Sequence, residues 1–257
     1  MKNEKTLLLF AHHSTEDLLP EESLTYLSHL KEFFSDILVV CDNPALKDED
    51  YEIFYCENVG YDFGKYYMAI QDKKLEEYER IAFVNDSCYV VDDADFTKIY
   101  EFNEDKELDF WGLTDSYEKP GCYKSDEDTA YHVQSYFLVF EKTSIAFITK
   151  FFEEIKFSEF LKSEYEGEIR QYIINNCEIG LTKYLRDQGL KCSAIWSVKD
   201  ILKDSDDFTR KVANLHLHFW EELIFMEFPL IKKKIVNGEW DGQAPNTESW
   251  VIHYTSE

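Results

Sequence analysis

The chain has 257 residues, enough for one sizeable core and one or two domains, which excludes a peptide held together by disulfides. Lys and Arg number 27 against 52 Asp and Glu, a formal net charge of -25, so most of the surface should repel nucleic acid and anionic lipid. With 44% apolar and 16% aromatic residues and only 9 Gly and 5 Pro, this charge does not signal disorder, and a folded globular chain is expected.

Thr6 to Ala11 reads as a buried strand that ends at His12, His13 and Ser14. Leu24, Leu27, Leu30 and Phe34 recur at helical spacing, which predicts a helix over Pro20 to Phe34 with proline near its start. Asp36 to Cys41 is a second strand, closed by the turn signal Asp42-Asn43-Pro44, and Glu52 to Cys56 a short third. The segment Asn58 to Gly64 makes a tight connection to a helix running to about Tyr78, and Arg80 to Val84 is a strand leading into Asn85-Asp86-Ser87.

Further on, the pattern predicts a helix over Asp95 to Phe102, a short strand over Asp109 to Gly112, and a polar, acid-rich loop from Asp115 to Ala130, the best candidate for a mobile lid. Val133 to Phe140 reads as a central strand. Thr143 to Gln188 is helical, broken at Gly167, bent before Gly180 and capped by Gly189. Lys191 to Ser197 is a last strand, and Leu215 to Val236 reads as an amphipathic helix interrupted at Pro229. Strands alternating with helices predict an α/β fold with a mostly parallel central sheet flanked by helices. We read residues 1–257 as one domain, with about 200–257 as a helical C-terminal extension.

Cys41, Cys56, Cys88, Cys122, Cys177 and Cys192 form no CxxC pair, and they read as small buried residues in a reducing cytoplasm. Leu7 to Phe10 is too short for a signal-peptide core, and no apolar span of about 18 residues occurs anywhere. A cytoplasmic location with at most peripheral membrane contact is expected.

In open α/β sheets ligands lie beyond the carboxyl ends of the strands, so the polar clusters there are the first candidates for a site. His12 and His13 follow the first strand. Asn58, Gly60, Asp62, Gly64 and Lys65 follow the third, where glycines allow close backbone approach and a helix N-terminus faces an anion. The spacing matches neither the Walker A pattern nor the GxGxxG fingerprint, so a plain turn capped by Asp62 explains it equally well. Asn85, Asp86 and Ser87 follow the fourth strand, where Asp86 could hold a divalent cation bound to a diphosphate, although a single carboxylate gives modest affinity. Glu178 opens an amphipathic stretch that ends in Gly189 before a strand. Near a helix N-terminus such an acid could serve as general base, or simply as an ordinary first-turn acid. His216, His218 or His253 could add a metal ligand, but a lone His against an apolar face is more often structural.

Four ordered motifs carry a family resemblance. Asn58-Val-Gly60-Tyr-Asp62-Phe-Gly64, Asn85-Asp86-Ser87-Cys-Tyr89, Asp109-Phe-Trp111-Gly112-Leu-Thr114 and His132-Val-Gln134-Ser135-Tyr136 onward to Phe140 stand in the order and approximate spacing of the rhamnan synthesis F family. Phe219 to Lys232 is similar too, so the likeness runs from about residue 5 to 235. It implies a GT-A-like, Rossmann-related glycosyltransferase of cell-surface polysaccharide synthesis, inverting, that uses a nucleoside-diphosphate sugar and a polysaccharide or lipid-linked glycan acceptor. The donor base would lie near His12 and His13. The diphosphate would sit by Asn58 to Lys65 and Asn85 to Ser87, with Mg2+ or Mn2+ on Asp86 as the metal ligand. Glu178 would be the catalytic base, and Trp111, Gly112, Tyr131, His132 and Gln134 would line the acceptor side. The chain departs from the family at Tyr61, where Arg is usual, and at Val90-Val91, where Gly-Pro is usual. A transferase for another activated sugar, a nucleotidyltransferase, or a non-catalytic sugar-binding or scaffold domain remain the alternatives.

Overall fold

The computed structural model describes residues 4–121, 123, 129–162 and 169–240. Strand β1 (Thr6–His12) is buried throughout, and its side chains sort by parity, with Leu8 and Phe10 in one core and Leu7, Leu9 and Ala11 in the other. A strand covered on both faces requires this continuous apolar run. Each Leu taken fully out of water contributes roughly 1.5–3 kcal/mol. Pro20 precedes α1 (Glu21–Leu30), whose Tyr26, Leu27 and Leu30 are buried and whose first-turn Glu21 and Glu22 suit the positive end of the helix dipole. β2 (Asp36–Cys41) and β3 (Glu52–Tyr55) follow, then α2 (Tyr61–Asp72). α2 is shorter than expected because Lys73 turns extended, at φ -110° and ψ 146°.

β4 (Arg80–Asn85) leads to a short strand that the sequence pattern does not announce, β5 (Cys88–Val90). After α3 (Thr97–Glu101), β6 (Phe110–Ser116) runs through Asp115 and Ser116, two residues into the expected loop. Of that loop, the candidate lid, residues 122 and 124–128 lie outside the described residues, and Cys122 with them. The single strand expected over Val133 to Phe140 is two pieces, β7 (His132–Val133) and β8 (Phe137–Glu141). The intervening backbone is turned aside by two bonds, Gln134 N to Thr114 O at 2.9 Å and Asn85 N to Tyr136 O at 3.2 Å.

α4 (Lys142–Glu154) and α5 (Phe157–Leu161) precede α6 (Ile169–Tyr172), which passes through π-helical turns at Ile173–Ile179 into α7 (Gly180–Asp187). The break expected at Gly167 lies outside the described residues. Gly189 ends α7 at φ +83°, the left-handed cap expected of it. β9 (Cys192–Trp196), α8 (Val198–Ile201) and α9 (Asp207–Val212) follow. The expected helix over Leu215 to Val236 is instead α10 (Leu215–His218), α11 (Trp220–Phe225), β10 (Leu230–Lys232) and α12 (Lys233–Val236). α11 ends where Glu227 takes a left-handed φ of 62° and Phe228 N bonds Leu223 O at 3.0 Å, and beyond it the Pro229 carbonyl accepts from Val91 N at 2.9 Å as β10 pairs antiparallel with β5.

The main sheet runs β3-β2-β1-β4-β8-β6, with β7 and β9 both on β6. β1 to β4 are parallel, β8 is antiparallel to both β4 and β6, and β9 is parallel to β6. The carboxyl ends of β1, β4, β6 and β9 therefore share one edge, with β8 starting from it. This is the expected α/β class, a mostly parallel central sheet flanked by helices. Among the described residues no helix is long and apolar enough to cross a membrane.

Candidate functional site

At the carboxyl edge a polar cluster closes over the end of β1. The buried His12 ring points Nδ1 at Asp86 Oδ2 over 2.6 Å, and the same oxygen accepts from His13 N at 3.2 Å. Burial pushes the Asp86 carboxyl up, but the hydrogen bond and charge of His12 outweigh it, so the carboxyl sits below its usual range. A carboxylate can only accept, so His12 Nδ1 carries the proton. Lys65, 2% exposed, reaches back beneath the sheet end and donates to His12 O at 2.7 Å, with Asp42 Oδ1 at 3.5 Å. Asp42 Oδ2 meets His13 Nδ1 at 2.6 Å. Lys65 thus serves this cluster and is not displayed to a ligand at the helix start.

The glycine turn lies next to it. Gly60 has φ +81°, and a Cβ at Gly64 would stand 1.7 Å from Val59 O, so the turn and the first helical turn close backbone on backbone. Tyr61 also has positive φ, 53°, and is half exposed, while Asn58 is exposed. Asp62 does not cap the helix. Its Oδ2 accepts from Asn85 Nδ2 at 2.7 Å, and Asn85 Oδ1 in turn accepts from Ser87 N at 3.2 Å. Burial, and then the nearby Asp86 charge, raise the Asp62 carboxyl, with Asn85 opposing.

Asp62 opens onto a cleft of about 490 Å³ whose walls include Tyr61, His132, Gln134, Arg170, Glu178 and Lys234. Glu178 enters from the π-helical turns and not from a free helix N-terminus, because α6 to α7 is one continuous helical run. Gly180 permits that winding, since a Cβ there would meet Asn175 O at 3.1 Å. Burial and the charge of Asp62 raise the Glu178 carboxyl, while Lys232 and Arg170 pull the other way. His132 Nδ1 bonds Ala130 O at 2.7 Å, and burial lowers its pKa. Gln134 Oε1 accepts from Thr114 Oγ1 at 2.6 Å.

The expected acceptor wall is only partly assembled here. Trp111 is 3% exposed, packed in the core, with Nε1 donating to Glu141 Oε1 at 3.0 Å. Gly112 serves packing, because a Cβ would stand 2.5 Å from Val133 Cγ1. Both sit within β6, before the strand reaches the edge. Tyr131 lines a second cavity of about 880 Å³ beside β9 and α7, where it packs on Tyr117 and Arg186. It lies next to His132 in sequence, and successive residues of extended chain face opposite ways. Ile179 is the wall common to both cavities.

The residues present do not fit a resident divalent cation at Asp86. One of its oxygens already accepts two N–H donors, so a single carboxylate oxygen is all that Asp86 offers a cation that takes six or more ligands. Among the described residues no three His, Cys, Asp or Glu side chains are grouped to hold a metal ion. His216 packs at a tilt against Tyr136 and edge-on against Phe228, His218 Nδ1 accepts from Asn214 N at 3.2 Å, and His253 lies outside the described residues.

Sequence reasoning passed over Asp42, Arg170, Lys232 and Lys234. The available signal was Lys232-Lys-Lys234, the chain's single run of three basic residues. Lys232 Nζ donates to Ser87 Oγ at 2.8 Å and lies 4.2 Å above the Tyr136 ring.

A family model described as Rhamnan synthesis protein F matches residues 35–252. Among curated proteins, the Virulence protein VirA of Vibrio anguillarum is 28% identical over 213 residues. That match covers 70% of this chain and 60% of that protein, so the chain spans well under the full length of this relative. The crystal structure of the glycosyltransferase GlyE from Streptococcus pneumoniae aligns at a TM-score of 0.38 and 14% identity, over 87% of this chain and 52% of that one, which is too loose to inform the site.

Proposed function

The chain belongs to the rhamnan synthesis protein F family, and on that footing we propose that it is an inverting glycosyltransferase that moves a sugar from a nucleoside-diphosphate sugar to a polysaccharide or lipid-linked glycan acceptor. The observation that carries this reading is the convergence of Glu178, Asp62, His132 and Gln134 on one cleft at the carboxyl edge of the sheet. The chemistry is a single displacement. Glu178 takes the proton of the acceptor hydroxyl, the oxygen attacks the anomeric carbon from the face opposite the diphosphate, and the anomeric C–O bond breaks with its electron pair leaving on the nucleoside diphosphate. An amide and an imidazole, Gln134 and His132, suit the hydroxyls of an acceptor sugar, and Tyr61 offers an aromatic face at the cleft mouth. The nucleoside base would lie near His12 and His13, of which His13 is the exposed one. A cytoplasmic site of action belongs to the same reading.

The test is to incubate the chain with a panel of nucleoside-diphosphate sugars and glycan acceptors, follow release of the diphosphate, and read the product anomer by proton NMR. Release with inversion supports the proposal. Retention of configuration rejects the single displacement, and no release with any donor rejects the transferase.

A further inference from the structure

Resting on the transferase reading, we infer that the donor's diphosphate is gripped by three side-chain cations, Arg170, Lys232 and Lys234, and not through a divalent ion at Asp86. Two of the three, Arg170 and Lys234, line the cleft. Lys232 stands between Ser87 and Tyr136, brought there from the far end of the chain because β10 pairs with β5, with Lys232 opposite Cys88. The Lys234 ammonium is lowered by burial and then by the charges of Lys232 and Arg170. Among the described residues none of them has a carboxylate oxygen within 4.0 Å, whereas neighbouring Lys65 and Lys233 are paired with Asp42 and Glu22. Asp62, Glu178 and Glu239 lie in electrostatic reach and Glu118 shares the cleft wall, yet none of them closes a pair with the three cations.

A chain with 52 acids and 27 bases has carboxylates enough to pair every lysine and arginine. Three like charges gathered at a cleft, two in its wall and Lys232 within reach of its acids, raise the energy of the free protein, and an anion of two or three charges relieves it. The donors suit phosphate oxygens. An ammonium carries three N–H groups, of which Lys232 gives one to Ser87, and a guanidinium presents a planar fork that matches two phosphate oxygens at once. Asp86, by contrast, has one oxygen held by His12 and His13 and, among the described residues, no group of acids or histidines beside it to complete a ligand set for a metal-bridged diphosphate.

The experiment is calorimetric titration of the chain with uridine, thymidine and guanosine diphosphates and with inorganic pyrophosphate, in EDTA and again in Mn2+. The same titrations are run on Lys234→Ala, Arg170→Ala and Lys232→Ala, each checked for folding by circular dichroism. Lys232→Ala also removes the bond to Ser87, so Lys234→Ala and Arg170→Ala carry the decision if that variant does not fold. Binding undiminished in EDTA and weakened about tenfold by either of these two, the worth of one charge-assisted hydrogen bond, supports the inference. Binding that appears only with Mn2+ overturns it and leaves the transferase standing. Binding in EDTA that none of the variants weakens overturns the residue assignment, and no binding in either buffer overturns the transferase reading and the inference together.

Discussion

Asn85 Nδ2 donates to Asp62 Oδ2 over 2.7 Å, a single bond that fastens the glycine turn to the end of β4. It also ties the cluster around Asp86 to the wall of the cleft, since Asn85 Oδ1 holds Ser87 N. Asp62→Leu leaves the Asn85 amide without its partner in a largely buried place, which costs about 1–3 kcal/mol. Asp62→Asn keeps an accepting oxygen at that position and should lose less than half as much. Urea unfolding of the two variants measures the difference, and equal losses would show that the bond does not anchor the turn.

The two glycines of the turn act by different means, and substitution should separate them. At Gly60 alanine must adopt φ +81°, a left-handed conformation that costs about 1–2 kcal/mol, and its Cβ meets the flexible end of Leu161 at 2.9 Å. At Gly64 the obstacle is backbone, Val59 O at 1.7 Å, which cannot yield without opening the first turn of α2. Gly64→Ala is expected to lose about 3 kcal/mol or more, and clearly more than Gly60→Ala. Chemical denaturation midpoints decide the order, and a Gly64→Ala as stable as the parent would contradict it.

These contacts mark where the sequence was legible and where it was not. β1, β2 and β4 announce themselves as continuous apolar runs because both faces of the sheet are covered, and the polar residues that end them mark the functional edge. Side-chain direction is harder to read. Trp111 looks like a sugar platform by type, yet its place within β6 turns it into the core against Glu141. Lys65 looks like a phosphate ligand beside a glycine turn, yet its length lets it reach back to His12 O. Pairings between distant segments leave no local trace. The join of β10 to β5 overrides a helical pattern after Pro229 and carries Lys232 to Ser87 across 145 residues of sequence.

Asp115 gives stability a pH dependence with a definite sign. Burial raises its carboxyl from 3.8 to about 6, with the Val198 N–H and Tyr131 only partly opposing. Between those values the folded chain holds a proton that the unfolded chain has released, so this group's contribution falls as pH rises from about 4 to 6, by up to about 3 kcal/mol. Asp42 and Asp86, held below their usual range, act oppositely, and their contribution is lost as pH falls through their folded values. Asp115→Asn keeps an oxygen for Val198 N, at 2.7 Å in the parent, and isolates the first effect. Unfolding free energies at pH 4.5 and 7.5 should fall less in the variant than in the parent, and an identical fall in both would remove Asp115 as the source.

Glu178→Gln bears most directly on the chemistry. The amide fills the same space in the cleft but cannot take a proton, so the loss should fall on kcat, by about 10²- to 10⁴-fold, with KM for the donor changed little. Burial and the neighbouring Asp62 raise the Glu178 carboxyl, so in the parent the rate should climb with pH as Glu178 ionises, starting above the ordinary glutamate range. The Gln variant should lose that limb while its circular dichroism spectrum stays unchanged. Steady-state kinetics across pH 4.5–8, with the donor that the panel identifies, supply both readouts. A variant that keeps the parent's kcat and pH profile removes Glu178 as the base and turns attention to Asp62 and Glu118, the other carboxylates on the cleft wall.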